Sequence, residues 1–130
     1  MIGSARQVTS KRKKFGIQVK RVYEAGTTAD GARFLVDGLW PRGIKKSALS
    51  DAEWVKEVAP SVALRKWYGH DPEKWGEFQK RYRAELVKNT AWEPILAEAK
   101  GGEVTLLTAT REVKISHAMA LRNFLRRRER

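Results

Sequence analysis

Cysteine is absent from the 130 residues, which excludes disulfides, thiolate nucleophiles and Cys-ligated zinc. Histidine occurs twice, at His70 and His117, too few for a His-rich metal site. No apolar run approaches the roughly 20 residues that span a bilayer, so no membrane insertion is expected. Residues 1–16 lack the apolar stretch of a secretory signal, and with no cysteine a cytoplasmic protein is expected. No Ser-His-Asp order, Walker loop or metal-ligand spacing occurs, so neither a metal nor a cofactor is indicated.

Acidic residues are scarce at the two ends. The formal net charge is +12. Residues 1–16 hold Arg6, Lys11, Arg12, Lys13 and Lys14 with no acid. Residues 121–130 hold Arg122, Arg126, Arg127, Arg128 and Arg130 against Glu129 alone. Residues 17–120 carry 17 bases and 14 acids, so the basicity is mostly terminal. Terminal polycations attract polyanions, which makes Lys11–Lys14 and Arg126–Arg128 candidate nucleic-acid contacts. The length suits one domain, with residues 1–16 as a basic, disordered arm and the fold in 17–130.

β-Branched residues interrupted by polar ones predict a strand over 17–23, and Phe34-Leu-Val36 anchors another over 33–39. Asp30-Gly31 marks a turn between them, because glycine accepts positive φ. That short connection leaves the relative direction of the two strands open, with a hairpin as an alternative. Ser50 and Glu53 have capping-box spacing and predict a helix over about 51–58. A short turn is expected over 61–68. Asp71-Pro72 opens the clearest helix, 72–88, whose Trp75, Phe78, Tyr82 and Leu86 form one apolar stripe. Thr90 and Glu93 predict a cap for a helix over about 91–99. Val104, Leu106 and Leu107 suit a buried strand over 103–109, and a last helix runs from about Ser116. Trp54, Trp67 and Trp75 fall on predicted helices and suit the core; Trp40 and Trp92 are less committed. The fold class is α/β: a small, largely parallel sheet flanked by helices.

Ligands of open α/β sheets sit beyond the carboxyl ends of the strands. The loop after the 103–109 strand carries Thr108, Thr110 and Arg111, then Ser116 and His117 at a helix start, which suits an anion. The strand over 33–39 ends in Asp37 and continues through Trp40-Pro41-Arg42-Gly43. Arg42, Arg111, Ser116 and His117 are therefore the candidate anion ligands. Asp37 is a candidate general base or histidine-orienting group, or an ion-pair partner of Arg21 or Arg42. His70, before the Asp71 cap, is a secondary candidate. The expected function is an anion- or phosphate-ligand-binding protein, with catalysis open. The alternative is a nucleic-acid-associated module using the basic termini.

Several blocks carry a family resemblance: Ile17-Gln-Val-Lys-Arg-Val-Tyr23, Leu35-Val-Asp-Gly-Leu-Trp-Pro-Arg-Gly43, Leu64-Arg-Lys-Trp-Tyr-Gly-His-Asp-Pro-Glu-Lys-Trp75 and Arg81-Tyr-Arg-Ala-Glu-Leu86. Over about residues 17–125 the chain resembles the YeaO-like family, a domain of unknown function in bacteria and archaea. The resemblance implies a small cytoplasmic α/β domain with no established activity. Members often have Arg where this chain has Gly38 and Tyr where it has Thr108, and the segment before His117 is altered. These departures fall inside the candidate site.

Overall fold

The β-branched segments meet in one sheet in the computed structural model, which describes residues 16–129. Strands β1 (Ile17–Arg21), β2 (Ala32–Leu35), β3 (Ala52–Trp54) and β4 (Val104–Thr108) lie in the order β1-β4-β2-β3. All three neighbouring pairs are parallel. β4 is central and buried at every position, as its continuous apolar run requires.

The parallel pairing resolves the direction of the first two strands and removes the hairpin alternative. β4 lies between β1 and β2, so the connection steps across a strand. Gly31 makes that step possible. Its φ is +65°, and a Cβ there would overlap the Glu103 carbonyl. The next residue starts β2 by donating from Ala32 N to that same oxygen, at 3.0 Å.

The two sheet faces bury different things. Phe34, Val36, Val104 and Leu106 belong to the main core with the four α-helices of the described residues, α1 (Val62–Tyr68), α2 (Trp75–Val87), α3 (Glu93–Gly101) and α4 (His117–Glu129). Leu35 and Leu107 face the other way and meet Val22 and Leu49, under Trp40, Ile44 and Trp54. The Trp75–Leu86 stripe packs inward as its spacing requires: Phe78, Tyr82 and Leu86 are each 1% exposed, and Trp75 is half-buried. Trp92 is buried against Phe124, ring centroids 5.1 Å apart. Among the described residues no helix is long and apolar enough to cross a membrane.

Two local expectations are corrected. The segment expected as a helix over 51–58 is instead the edge strand β3 followed by a 3-10 turn, Lys56–Val58. Ala52, Glu53 and Trp54 pair with Arg33, Phe34 and Leu35, and the Trp54 indole donates to the Asp37 carbonyl at 2.8 Å. Eight residues give a helix little intrinsic stability, so edge pairing and the anchored tryptophan override the capping signal. The second correction concerns α3. Its approach is capped by Asn89, whose side chain accepts from Ala91 N, and Thr90–Trp92 forms a 3-10 turn before the helix begins at Glu93. The segment 61–68 is a true helix, capped by Ser61 and closed by Gly69 in the left-handed region.

Candidate functional site

Parallel strands bring their carboxyl ends to one edge, and a cleft of about 320 Å³ opens there. Three segments build it. The loop after β2 contributes Asp37 to Arg42, the loop after β4 contributes Ala109 and Thr110, and α1 with the turn after it contributes Arg65, Tyr68 and His70. His117, the first residue of α4, completes the wall, and Phe78 reaches it from α2.

The loop after β2 is held in shape by side chains bonding to its backbone. The Trp54 indole binds the Asp37 carbonyl, the Trp40 indole donates to the Ile44 carbonyl at 2.7 Å, and the Tyr23 hydroxyl donates to the Arg42 carbonyl at 3.0 Å. The cleft rim is therefore preorganised although it is loop.

Asp37 sits at the centre of a polar junction. Its Oδ1 accepts from the Thr108 hydroxyl at 2.7 Å, its Oδ2 accepts from Ala109 N at 2.8 Å, and His117 Nε2 lies 3.1 Å from Oδ1. His117 Nε2 is also 3.1 Å from the Val36 carbonyl. Both neighbours of Nε2 are acceptors, so Nε2 carries the proton and Nδ1 is the nitrogen left for a ligand. Burial works against ionisation of Asp37, but the hydrogen bond and charge of His117, the Ala109 N–H and the Thr108 hydroxyl outweigh it. The carboxyl is held below its usual range. Such a group is a poor proton donor and a poor base at neutral pH. In this geometry it accepts from Thr108 and Ala109 and lies within hydrogen-bonding distance of His117.

An Asp37→Asn substitution should expose this arrangement. An amide at 37 places an NH2 where one carboxylate oxygen accepts, so either His117 Nε2 or Ala109 N loses an acceptor. The expected loss is about 1–3 kcal/mol in urea denaturation at neutral pH. A loss below a few tenths of a kcal/mol would show that the junction carries no strain-free geometry worth keeping.

Tyr68 is a second fixed element. Its hydroxyl donates to the Ile115 carbonyl at 2.7 Å, and burial with the Asp71 charge pushes its pKa up to about 12. It stays a neutral phenol under the cleft, tying α1 to the approach to α4. His70 follows Gly69, and both have positive φ, +58° and +53°. A non-glycine residue held in that region stores about 1–2 kcal/mol. The strained residue lies at the cleft mouth, 6.0 Å from the Tyr68 ring.

The structure brings together Asp37, Arg42, His70 and His117 around one cleft. It does not bring in the others as expected. Arg111 is exposed and does not line the cleft, because the loop after β4 turns it outward. Ser116 is buried and occupied: its hydroxyl donates to the Val113 carbonyl at 2.7 Å and accepts from Met119 N at 3.2 Å, so it caps α4. Arg21 makes no ion pair with Asp37; its Nη2 donates to the Ala109 carbonyl at 3.1 Å and its guanidinium lies 4.7 Å from the Tyr23 ring centroid. Lys11, Arg12, Lys13 and Lys14 lie outside the described residues. Arg126 and Arg127 are exposed far along α4, and Arg128 lies 5.0 Å over the Trp92 ring.

One cleft cation was not anticipated. Arg65 lines the cleft, its Nε is buried without a hydrogen-bond partner, and its guanidinium lies beside the position a Gly38 Cβ would take. The available signal was its place one residue after Leu64, on the border of a short amphipathic helix.

The DUF488-N3i family, described as an inactive DUF488-N3 subclade, matches residues 16–130. An uncharacterised protein of Mycobacterium tuberculosis is 44% identical over 109 residues, covering 84% of this chain and 92% of that protein. The uncharacterised protein YeaO of Escherichia coli is 42% identical over 111 residues, covering 85% and 96%. No solved structure matches the chain. On a match that spans the whole described fold, with relatives of this identity and coverage, the chain belongs to the DUF488-N3i family and is a relative of YeaO.

Proposed function

We propose that the cleft binds a small anion carrying an apolar body, such as a carboxylate or a phosphate ester, and that the domain works by binding. The observation that carries this reading is convergence. The only two histidines of the chain and two arginines, Arg42 and Arg65, line one cleft. Asp37 is the sole acid among its described lining residues, and its oxygens are engaged by their own donors. The field in the cleft therefore favours negative charge. Trp40, Pro41, Pro60, Tyr68 and Phe78 supply the apolar wall. The volume lies at the small end of ligand pockets. The description of the family as inactive agrees with binding over turnover.

Thermal unfolding with phenyl phosphate, inorganic phosphate and sulfate tests it. At a hundredfold excess over Kd, a ligand specific for the folded state adds about 2.7 kcal/mol, on the order of 10 °C for a domain of this size. Phenyl phosphate should act at lower concentration than inorganic phosphate. Arg65→Ala and Arg42→Ala should each blunt the shift, and Arg111→Ala should leave it intact. Equal shifts in all four proteins would indicate general salt stabilisation and overturn the reading.

A further inference from the structure

The Asp37 junction fixes which atoms of the cleft offer hydrogens and which offer lone pairs. The carboxyl is held below its usual range, so at neutral pH both oxygens only accept. Oδ1 lies 2.7 Å from Thr108 Oγ1 and 3.1 Å from His117 Nε2, and Oδ2 lies 2.8 Å from Ala109 N. The hydrogens at the junction therefore point at Asp37.

Two consequences reach the cleft. A neutral imidazole carries one N–H. In His117 that hydrogen sits on Nε2, between Asp37 Oδ1 and the Val36 carbonyl, so Nδ1 keeps its lone pair. Among the described residues no donor reaches Nδ1. The second consequence runs through two hydroxyls. Thr108 has one hydroxyl hydrogen, and the short contact with the carboxylate takes it. Thr110 Oγ1 lies 3.1 Å from Thr108 Oγ1, so Thr110 is the donor across that contact. Thr108 Oγ1 also accepts from Thr110 N at 3.1 Å, which fills its lone pairs. Thr110 has then spent its only side-chain hydrogen. His117 and Thr110 both line the cleft, and each presents it with an acceptor.

Arg42 and Arg65 line the same cleft and offer only donors. The cleft thus pairs cationic donors with two neutral acceptors. A bare carboxylate or phosphate uses the first and leaves the second covered and unmet, which costs affinity.

We propose that the ligand of this cleft is a hydroxy acid with an apolar body, its carboxylate on Arg42 and Arg65 and its hydroxyl donating to the acceptor pair His117 Nδ1 and Thr110 Oγ1. This rests on the anion-binding reading above and adds the hydrogen-bond donor that it leaves open. A cleft of about 320 Å³ keeps the donor and the anion of one ligand within a few atoms of each other, as in a 2-hydroxy carboxylate. A hydroxyl suits the site better than an ammonium. An ammonium would bring positive charge beside two arginines and would need three acceptors.

Mandelate, phenylacetate and phenylglycine test it. They share a phenyl ring and a carboxylate and differ at one carbon, which bears a hydroxyl, a hydrogen or an ammonium. Each is titrated into the full chain at about pH 8.5, well above the ordinary imidazole range. Mandelate should bind about three- to tenfold more tightly than phenylacetate, the effect of one hydrogen bond. Arg65→Ala should weaken both and keep their ratio. His117→Phe should bring the ratio close to one. Thr110→Val should lower it, and Thr110→Ser, which keeps the hydroxyl, should restore it. Nitrogen NMR of the imidazoles gives a readout that breaks no contact at the junction. The chain has two histidines, and His70→Asn, which tolerates the positive φ there, leaves the His117 signals alone. Nε2 should carry the hydrogen in the free protein, and mandelate but not phenylacetate should shift the bare Nδ1 resonance. Equal affinity for mandelate and phenylacetate, a hydrogen on Nδ1 in the free protein, or tighter binding of phenylglycine than of mandelate would overturn the hydroxyl assignment and leave anion binding standing. Stabilisation by phenyl phosphate with no binding of mandelate would do the same. Failure of all these ligands, phenyl phosphate included, would remove both.

Discussion

Asp30→Ala should cost about 3–5 kcal/mol, because it strips a buried counter-charge from the half-buried Lys20 and the buried Arg33. Asp30 is 1% exposed at the start of β2. Its carboxylate accepts from Lys20 Nζ at 3.1 and 3.3 Å, from Gln18 Nε2 at 3.2 Å, and from the backbone N–H and hydroxyl of Thr27 at 3.2 Å each. Arg33 Nε lies 3.5 Å away, on a side chain that is 8% exposed. Asp51 also reaches Arg33, at 2.9 Å, but it is largely in solvent and cannot replace a buried charge. The cluster occupies the sheet face opposite the helices, where Thr105 in β4 donates to the Asp30 carbonyl at 2.8 Å. Removing the carboxylate leaves Lys20 without a counter-charge and Arg33 with Asp51 alone.

The same group makes stability depend on pH. Burial alone would raise the Asp30 pKa, but the hydrogen bond and charge of Lys20 and the bonds from Thr27 hold it below its ordinary 3.8. The unfolded chain therefore binds the proton first, and stability rises with pH in that window. The contribution is complete well above pH 4 and is lost as pH falls through 3.8 and on through the lower folded-state value. Asp37, also lowered, acts in the same direction. Urea denaturation at pH 7 and pH 3 should show a smaller acid loss in Asp30→Ala than in the wild-type chain. A neutral-pH cost under about 1 kcal/mol would show that Lys20 and Arg33 find water or other partners.

What the sequence made legible follows from the range of the interactions involved. α2 was legible because its determinants are local: an Asp71 cap, Pro72 in the first turn and a stripe with a 3.6-residue period. β4 was legible because a central parallel strand must be apolar on both faces. β3 was not, since Ala52-Glu-Trp54 has no periodic signal of its own and becomes a strand only by pairing with Arg33 to Leu35. The direction of β1 and β2 was hidden for a related reason. Nothing within residues 22–31 reveals that β4, some seventy residues later, inserts between them.

The site divides along the same line. Asp37 and His117 could be placed together because each adjoins a recognisable strand end or helix start, and both fall at the carboxyl edge once the sheet is parallel. Arg111 satisfied the same logic and still missed, because a loop residue's direction depends on the local turn. Ser116 was placed correctly at the helix start, but the cap consumed its hydroxyl. Arg65 escaped notice because α1 crosses the sheet edge only by virtue of tertiary packing through Leu64 and Tyr68.

Phe78→Ala joins the core to the cleft and should cost about 3–5 kcal/mol. The ring is 1% exposed and lies in an aromatic row: 4.1 Å from Tyr68 and nearly parallel to it, 6.0 Å from Trp75 and 5.7 Å from Tyr82. Its neighbours cannot readily collapse inward. Tyr68 is tethered to the Ile115 carbonyl, and the buried Tyr82 hydroxyl donates to the Val58 carbonyl at 2.6 Å. The space left should therefore persist, and because Phe78 lines the cleft, it should open into it. Denaturation measures the stability loss, and ligand-induced thermal shifts measure the opening. Phenyl phosphate should stabilise Phe78→Ala by a larger increment than the wild-type chain, its ring entering the vacated space, whereas inorganic phosphate should give the same increment in both. A full stability cost with no difference between the two ligands would place Phe78 in the core but not in the cleft floor. A cost under about 1 kcal/mol would mean that Tyr68 and Tyr82 close over the gap despite their tethers.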